Sequence, residues 1–148
     1  MILLTKATWA LINDINHQVN FQLIPEPDPI GKDSWDVKPP GSTADCDDYA
    51  VTKRARLIEA GLPWQDLRLA TCMTFWSRHF KKPMGNHMVL LVDSIGGAYV
   101  MDSPPNDEVL PWRETGYFFK WIQSSDNQGA IGWRVACGQD ASRLPYYG

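Results

Sequence analysis

Five apolar residues in a row, Met88-Val89-Leu90-Leu91-Val92, stand between His87 and Asp93. Side chains alternate between the two faces of a strand, so a run with no polar member has to be buried on both. The segment therefore belongs in the middle of a sheet. Ser94-Ile95-Gly96-Gly97 reads as the turn that follows it, and Ala98 to Asp102 as the next strand. Upstream, Leu67, Leu69 and Thr71 alternate with Arg68, Ala70 and Cys72, which predicts another strand. Tyr117 to Ile122 and Ile131 to Ala136 add two more, joined by the polar turn Ser124 to Gly129.

The N-terminal part has a different period. Trp9, Ile12, Ile15 or Asn16, and Val19 recur at helical spacing, which predicts a helix over residues 5–20. From Ile24 to Pro40 the prolines at 25, 27, 29, 39 and 40 and Gly31 forbid regular structure and mark a long ordered loop, either functional or a wrap around the core. Ser42-Thr43-Ala44-Asp45 then reads as a capping box, with Ser42 as N-cap and Asp45 at the third helical position. Val51, Ala55, Ile58 and Leu62 fall on one stripe, and Gly61 and Pro63 end the helix. Cys46 thus lies in the first turn. The expected fold is α+β, with N-terminal helices packed on an antiparallel sheet in a single domain over residues 1–148.

Composition excludes several classes. With 44% hydrophobic and 21% charged residues the chain is globular, and its seven tryptophans serve mainly to fill a core. A net charge of −3 with no basic stripe argues against nucleic acid as a partner; Lys53, Arg54 and Arg56, and likewise Arg78, Lys81 and Lys82, read as solvated surface charges. No run of eighteen apolar residues predicts a membrane span. Met1-Ile2-Leu3-Leu4 is too short for a signal peptide core, so a cytoplasmic or virion-associated location is expected. Three widely spaced cysteines, Cys46, Cys72 and Cys137, do not suggest a disulfide framework. Cys72, His79 and His87 match no common zinc spacing, and His17 and His79 read as surface residues without a partner.

One constellation carries chemistry. A helix N-terminus favours a thiolate, and its free N–H groups can hold the oxyanion formed when a carbonyl is attacked. Cys46 is placed for both, although Asp45, Asp47 and Asp48 beside it raise a thiol pKa. If Asp93 pairs with Ala98, Asp102 falls opposite Val89, and His87 and Asp102 become diagonal neighbours on one face. A carboxylate on one ring nitrogen then leaves the other for the thiol. Taken singly, each residue also has a structural reading: a small buried thiol, a satisfied core histidine and a strand-end cap.

Asp45-Cys46-Asp47-Asp48-Tyr49-Ala50, then Lys53, Gly61-Leu62-Pro63 and Leu67-Arg68-Leu69, followed by His87-Met88-Val89-Leu90 and Val100-Met101-Asp102, resemble the bacterial transglutaminase-like cysteine proteinase family. Asn13, Ile15, Asn16, Phe21, Asp33 and Trp35 fit the same pattern upstream, so the resemblance runs from about residue 10 to residue 105. It implies a papain-like, transglutaminase-like core and a triad in which Cys46 is the nucleophile, His87 the base and then acid, and Asp102 the residue that orients the imidazole. It also implies an oxyanion hole from the Cys46 N–H and the Trp35 indole. Calcium bound by Asp45 and Asp47 is a further implication, although no cofactor is required for the chemistry. The family usually carries glutamate where this chain has Asp47. Its best-known members are periplasmic proteases that clip a surface adhesin; without an export signal this chain looks more like a phage-encoded or cytosolic relative, and that substrate does not carry over.

The expected function is hydrolysis of an amide bond in a protein or peptide through a thioester acyl-enzyme. Two alternatives keep the same fold. One is acyl transfer to an amine, as in a transglutaminase. The other is a structural or binding protein, such as a phage virion component assembled into a larger particle.

Overall fold

The structure, a computed structural model, describes residues 1–26, 36–123 and 133–138. Helix α1 spans Lys6–Gln22, capped by Thr5, whose hydroxyl accepts the Thr8 N–H at 3.1 Å. Its buried face is Ile12, Ile15, Asn16, Val19 and Asn20. It stops where Leu23 turns extended, and the chain enters the two-residue strand β1, Ile24–Pro25, which pairs in parallel with β2, Thr43–Ala44. Most of the expected proline-rich loop, and Trp35 within it, lies outside the described residues.

That short pairing moves the start of the second helix. Thr43 and Ala44 are committed to β2, so Ser42 is not the cap; α2 runs Cys46–Glu59 with Asp45 as N-cap. Asp45 accepts the Asp48 N–H at 3.1 Å while Asp48 accepts the Asp45 N–H at 3.2 Å, a capping box three residues later than the sequence suggested. The helix ends as expected: Gly61, at φ +103°, lets Leu62 N–H reach back to the Leu57 carbonyl at 3.0 Å.

The buried face of α2 is also rotated from the predicted stripe. Val51, Ile58 and Leu62 pack only at its margin, whereas Tyr49, Ala50, Thr52, Lys53 and Leu57 are fully enclosed. Lys53 is therefore not a solvated charge, because the face that carries it is the one laid on the sheet. Arg54 and Arg56 are half-buried, bonded to the Leu67 carbonyl at 2.7 Å and to Gln22 Oε1 at 2.6 Å.

Six antiparallel strands follow: β3 (Leu67–Ser77), β4 (Lys82–Ser94), β5 (Gly97–Met101), β6 (Leu110–Pro111), β7 (Phe118–Gln123) and β8 (Trp133–Gly138), in the spatial order β6-β5-β4-β3-β7-β8. The apolar run is central, as expected. Leu90 and Val92 pack with Ile12, Val19, Leu57 and Leu69 under the helices, while Val89 and Leu91 pack with Cys72, Val100, Trp112 and Phe119 on the opposite face. The register also matches the expected one, Asp93 opposite Ala98 and Leu90 opposite Met101, across a turn of only Ile95 and Gly96. Arg68 is buried rather than solvated because its Nε meets Asp93 Oδ2 at 2.8 Å. The turn expected at Ser124 to Gly129 lies outside the described residues.

Leu57 has no exposed surface and lies where α2 meets the sheet. Leu57→Ala should lower stability by about 2–5 kcal/mol, read as a lower urea midpoint at unchanged slope.

Candidate active site

Asp45 holds the extended conformation before the helix, which makes Cys46 the first residue of α2. The Cys46 N–H consequently precedes the helical hydrogen-bond ladder and has no partner within the helix. The thiol beside it is half-buried and donates to Asp47 Oδ1 at 3.5 Å. Burial first, and then the Asp47 and Asp45 carboxylates, push it from an ordinary 9.0 up to about 12, against the Met88 N–H, which bonds the sulfur and pulls the other way. The helix terminus offsets only about 0.3–1 kcal/mol, less than one pKa unit, and does not reverse that rise. At neutral pH the resting group is a thiol.

His87 lies near the middle of β4, and Asp102 directly follows β5. The hairpin register brings them together: His87 Nε2 donates to Asp102 Oδ1 at 2.6 Å. The ionised carboxylate has no proton to give, so Nε2 carries the hydrogen of that bond. Cys46 and His87 line two cavities in common. One, of about 400 Å³, continues past Thr71, Asn86, Lys120 and Trp121; the other, of about 440 Å³, continues past Pro25, Ala44, Tyr49 and Pro104.

The Asp102 carboxylate takes four hydrogen bonds from the described residues. Its Oδ1 also accepts the Ser103 N–H at 2.8 Å, and its Oδ2 accepts the Tyr117 hydroxyl at 2.5 Å and Asn106 Nδ2 at 3.2 Å. Burial alone would push its carboxyl up, but the bonds from His87, Tyr117 and Ser103 together hold it below the usual carboxylate range. Tyr117 responds in the opposite direction: burial and the neighbouring carboxylate raise its phenol, which stays a donor. Its ring stands edge-on to the His87 ring at 5.8 Å.

Sequence reasoning did not identify Tyr117, Asn106, Ser103 or Lys53 as parts of this cluster. Lys53 Nζ donates to the Asp102 main-chain carbonyl. Nor was a partner foreseen for His17, whose Nδ1 meets Asp107 Oδ2 at 2.5 Å. With Asn20 Nδ2 on Asp107 Oδ1 at 3.0 Å, this contact ties the segment after β5 back to α1. Such partners are up to 90 residues apart along the chain and leave no local pattern.

Asp45 and Asp47, the calcium ligands implied by the resemblance, flank the thiol, but Asp45 is engaged as the helix cap and Asp47 accepts the thiol hydrogen. Calcium takes six to eight oxygens. Among the described residues no group of three or more His, Cys, Asp or Glu side chains is arranged to hold a metal ion, so any further oxygens beside Asp45 and Asp47 would have to be main-chain carbonyls, amides or water. Trp35, the expected second oxyanion donor, lies outside the described residues.

Comparison with known proteins bears on the fold and the family. No curated protein matches the chain. Among solved structures, the calcium-bound form of LapG from Legionella pneumophila superposes with a TM-score of 0.65 at 22% identity, covering 86% of this chain and 68% of LapG. A second LapG structure gives 0.64 at 22% identity over 90% of this chain and 72% of that one. The EGTA-treated form gives 0.65 at 22% identity over 92% and 69%. At that identity the likeness establishes the fold. The sequence profile of the bacterial transglutaminase-like cysteine proteinases, BTLCP, extends over residues 1–137, so this chain belongs to that family of cysteine peptidases.

Proposed function

We propose that the protein cleaves an amide bond of a protein or peptide substrate with Cys46, His87 and Asp102 acting as a triad. The observation that carries this reading is the 2.6 Å bond from His87 Nε2 to Asp102, with His87 and Cys46 lining the same cleft. Because the thiol is protonated at rest, His87 acts as a general base during attack instead of as half of a preformed ion pair.

Nδ1 takes the thiol proton as sulfur bonds to the carbonyl carbon. The carbonyl electrons move to oxygen, which the Cys46 N–H and the helix terminus stabilise. The imidazolium returns the proton to the amide nitrogen, the C–N bond breaks, and a thioester remains on Cys46. Water, deprotonated by the same imidazole, adds to the thioester; the S–C bond then breaks, releasing the acid and restoring the thiol. Asp102, held by four donors, keeps the imidazole in one tautomer and stabilises it when charged. The two cavities that meet at Cys46 and His87 offer room on both sides of the scissile bond, which suits a site within a chain better than a terminal residue. No step is routed through calcium.

The raised Cys46 pKa favours one other reading, a protein that keeps the fold and uses its cleft only for binding. An epoxysuccinyl thiol-protease inactivator separates the two. Peptide mass spectrometry should find Cys46 labelled and the buried Cys72 untouched, with labelling lost in His87→Ala; an inert Cys46, or equal labelling of both, would sink the peptidase reading. Tyr117→Phe should slow the same labelling about tenfold, since one charge-assisted bond to Asp102 is lost while Asn106 still supports it. An unchanged rate would remove Tyr117 from the mechanism.

A further inference from the structure

A lysine with no exposed surface needs a reason, because burial strips water from its ammonium and such residues are rarely enclosed unless paired. Lys53 is enclosed completely. It follows Cys46 by seven residues on α2. At 3.6 residues per turn the two share one helix face, about 10 Å apart along the axis. Its amine donates to the Asp102 carbonyl, and the Tyr49 ring, one turn earlier, lies 5.9 Å from it.

Two carboxylates act on this amine: Asp102, after β5, and Asp107 in the segment that follows. Asp107 is itself bonded to His17 and Asn20 of α1. Behind Asp102 stand His87 of β4 and Tyr117 ahead of β7. Packing does not explain the amine, since an apolar side chain of similar volume would fill the space without burying a charge. Connectivity does. Among the described residues, the bonds to Asp102 come from β4, from the segment after β5 and from Tyr117, and only Lys53 joins Asp102 to the helix that carries the thiol.

We propose that Lys53 is a positioning residue for the triad: its amine clamps the main chain at Asp102 and so holds the carboxylate, and His87 with it, in fixed relation to Cys46. The inference rests on the triad reading above. Without the clamp the buried carbonyl loses its donor, and the segment carrying Asp102 is free to shift relative to α2. Displacements of about an ångström in such groups are enough to slow a reaction by two orders of magnitude.

The charge adds a pH signature. Burial lowers the amine from 10.5 to about 7, with Asp102 and Asp107 pulling the other way. The unfolded chain therefore holds this proton more tightly between those two values, and Lys53 makes stability rise with pH across that window. Replacing it removes the slope.

The test is the rate of Cys46 alkylation by iodoacetamide in the full chain, followed by peptide mass spectrometry from about pH 6 to about pH 10. Lys53→Met and the shorter, uncharged donor Lys53→Gln should slow alkylation at neutral pH by about tenfold or more and change the shape of its pH profile. Leu57→Ala, a destabilising change on the same helix, should lower the melting temperature and leave that profile in place. The stability gap between wild type and Lys53→Met should also vary with pH, moving in favour of wild type as pH climbs from about 7 to about 10. If His87→Ala slows alkylation while both Lys53 variants react at the wild-type rate, Lys53 is merely structural and the proposal is overturned. If His87→Ala itself reacts normally, the triad reading fails instead. Parallel stability profiles for wild type and Lys53→Met would likewise overturn the clamp, because the amine would then not be enclosed against Asp102.

Discussion

Everything at the site converges on the carboxylate of Asp102. Placed at the end of β5 and only 5% exposed, it is a charge removed from water, and it is sustained by four donors from three parts of the chain. Had those donors been fewer, burial would have won and the group would have become a neutral acid, unable to stabilise an imidazolium. Their sum keeps it ionised. The central strand, the segment after β5 and Tyr117 must all be in place at once for that balance to hold, so the electrostatics of one side chain depend on the assembly of the sheet.

The cysteine end shows the opposite outcome. Its helix terminus favours the anion, but burial and the adjacent Asp47 favour the thiol more strongly. In the proposed mechanism the imidazole bonded to Asp102 takes the proton that the thiol keeps at rest. A resting thiol is also less reactive toward adventitious electrophiles than a preformed thiolate would be.

The likeness to LapG has a clear physical extent. A TM-score of 0.65 at 22% identity means that the chain path and the packing of helix on sheet are shared while most side chains differ. The cavity beside Cys46 and His87 is lined by Thr71, Asn86, Lys120 and Trp121 of this chain. Family membership establishes a cysteine peptidase.

Local physics alone determined a good part of this protein. The run from Met88 to Val92 had to be a central strand, the period of Trp9 to Val19 had to be a helix, and the spacing between Asp93 and Ala98 set a register that brings His87 to Asp102. Such features depend on neighbours a few residues away or directly across a hairpin, which the order of residues encodes. The helix start was misread by three residues because a two-residue pairing with a distant strand, Ile24–Pro25, claimed Thr43 and Ala44. The burial of Lys53 and Arg68, and the donors from Ser103, Asn106 and Tyr117, were decided only by tertiary structure. Whether a charged side chain is solvated or enclosed depends on which surface is laid over it and which acceptor waits there, and neither is present in the local sequence.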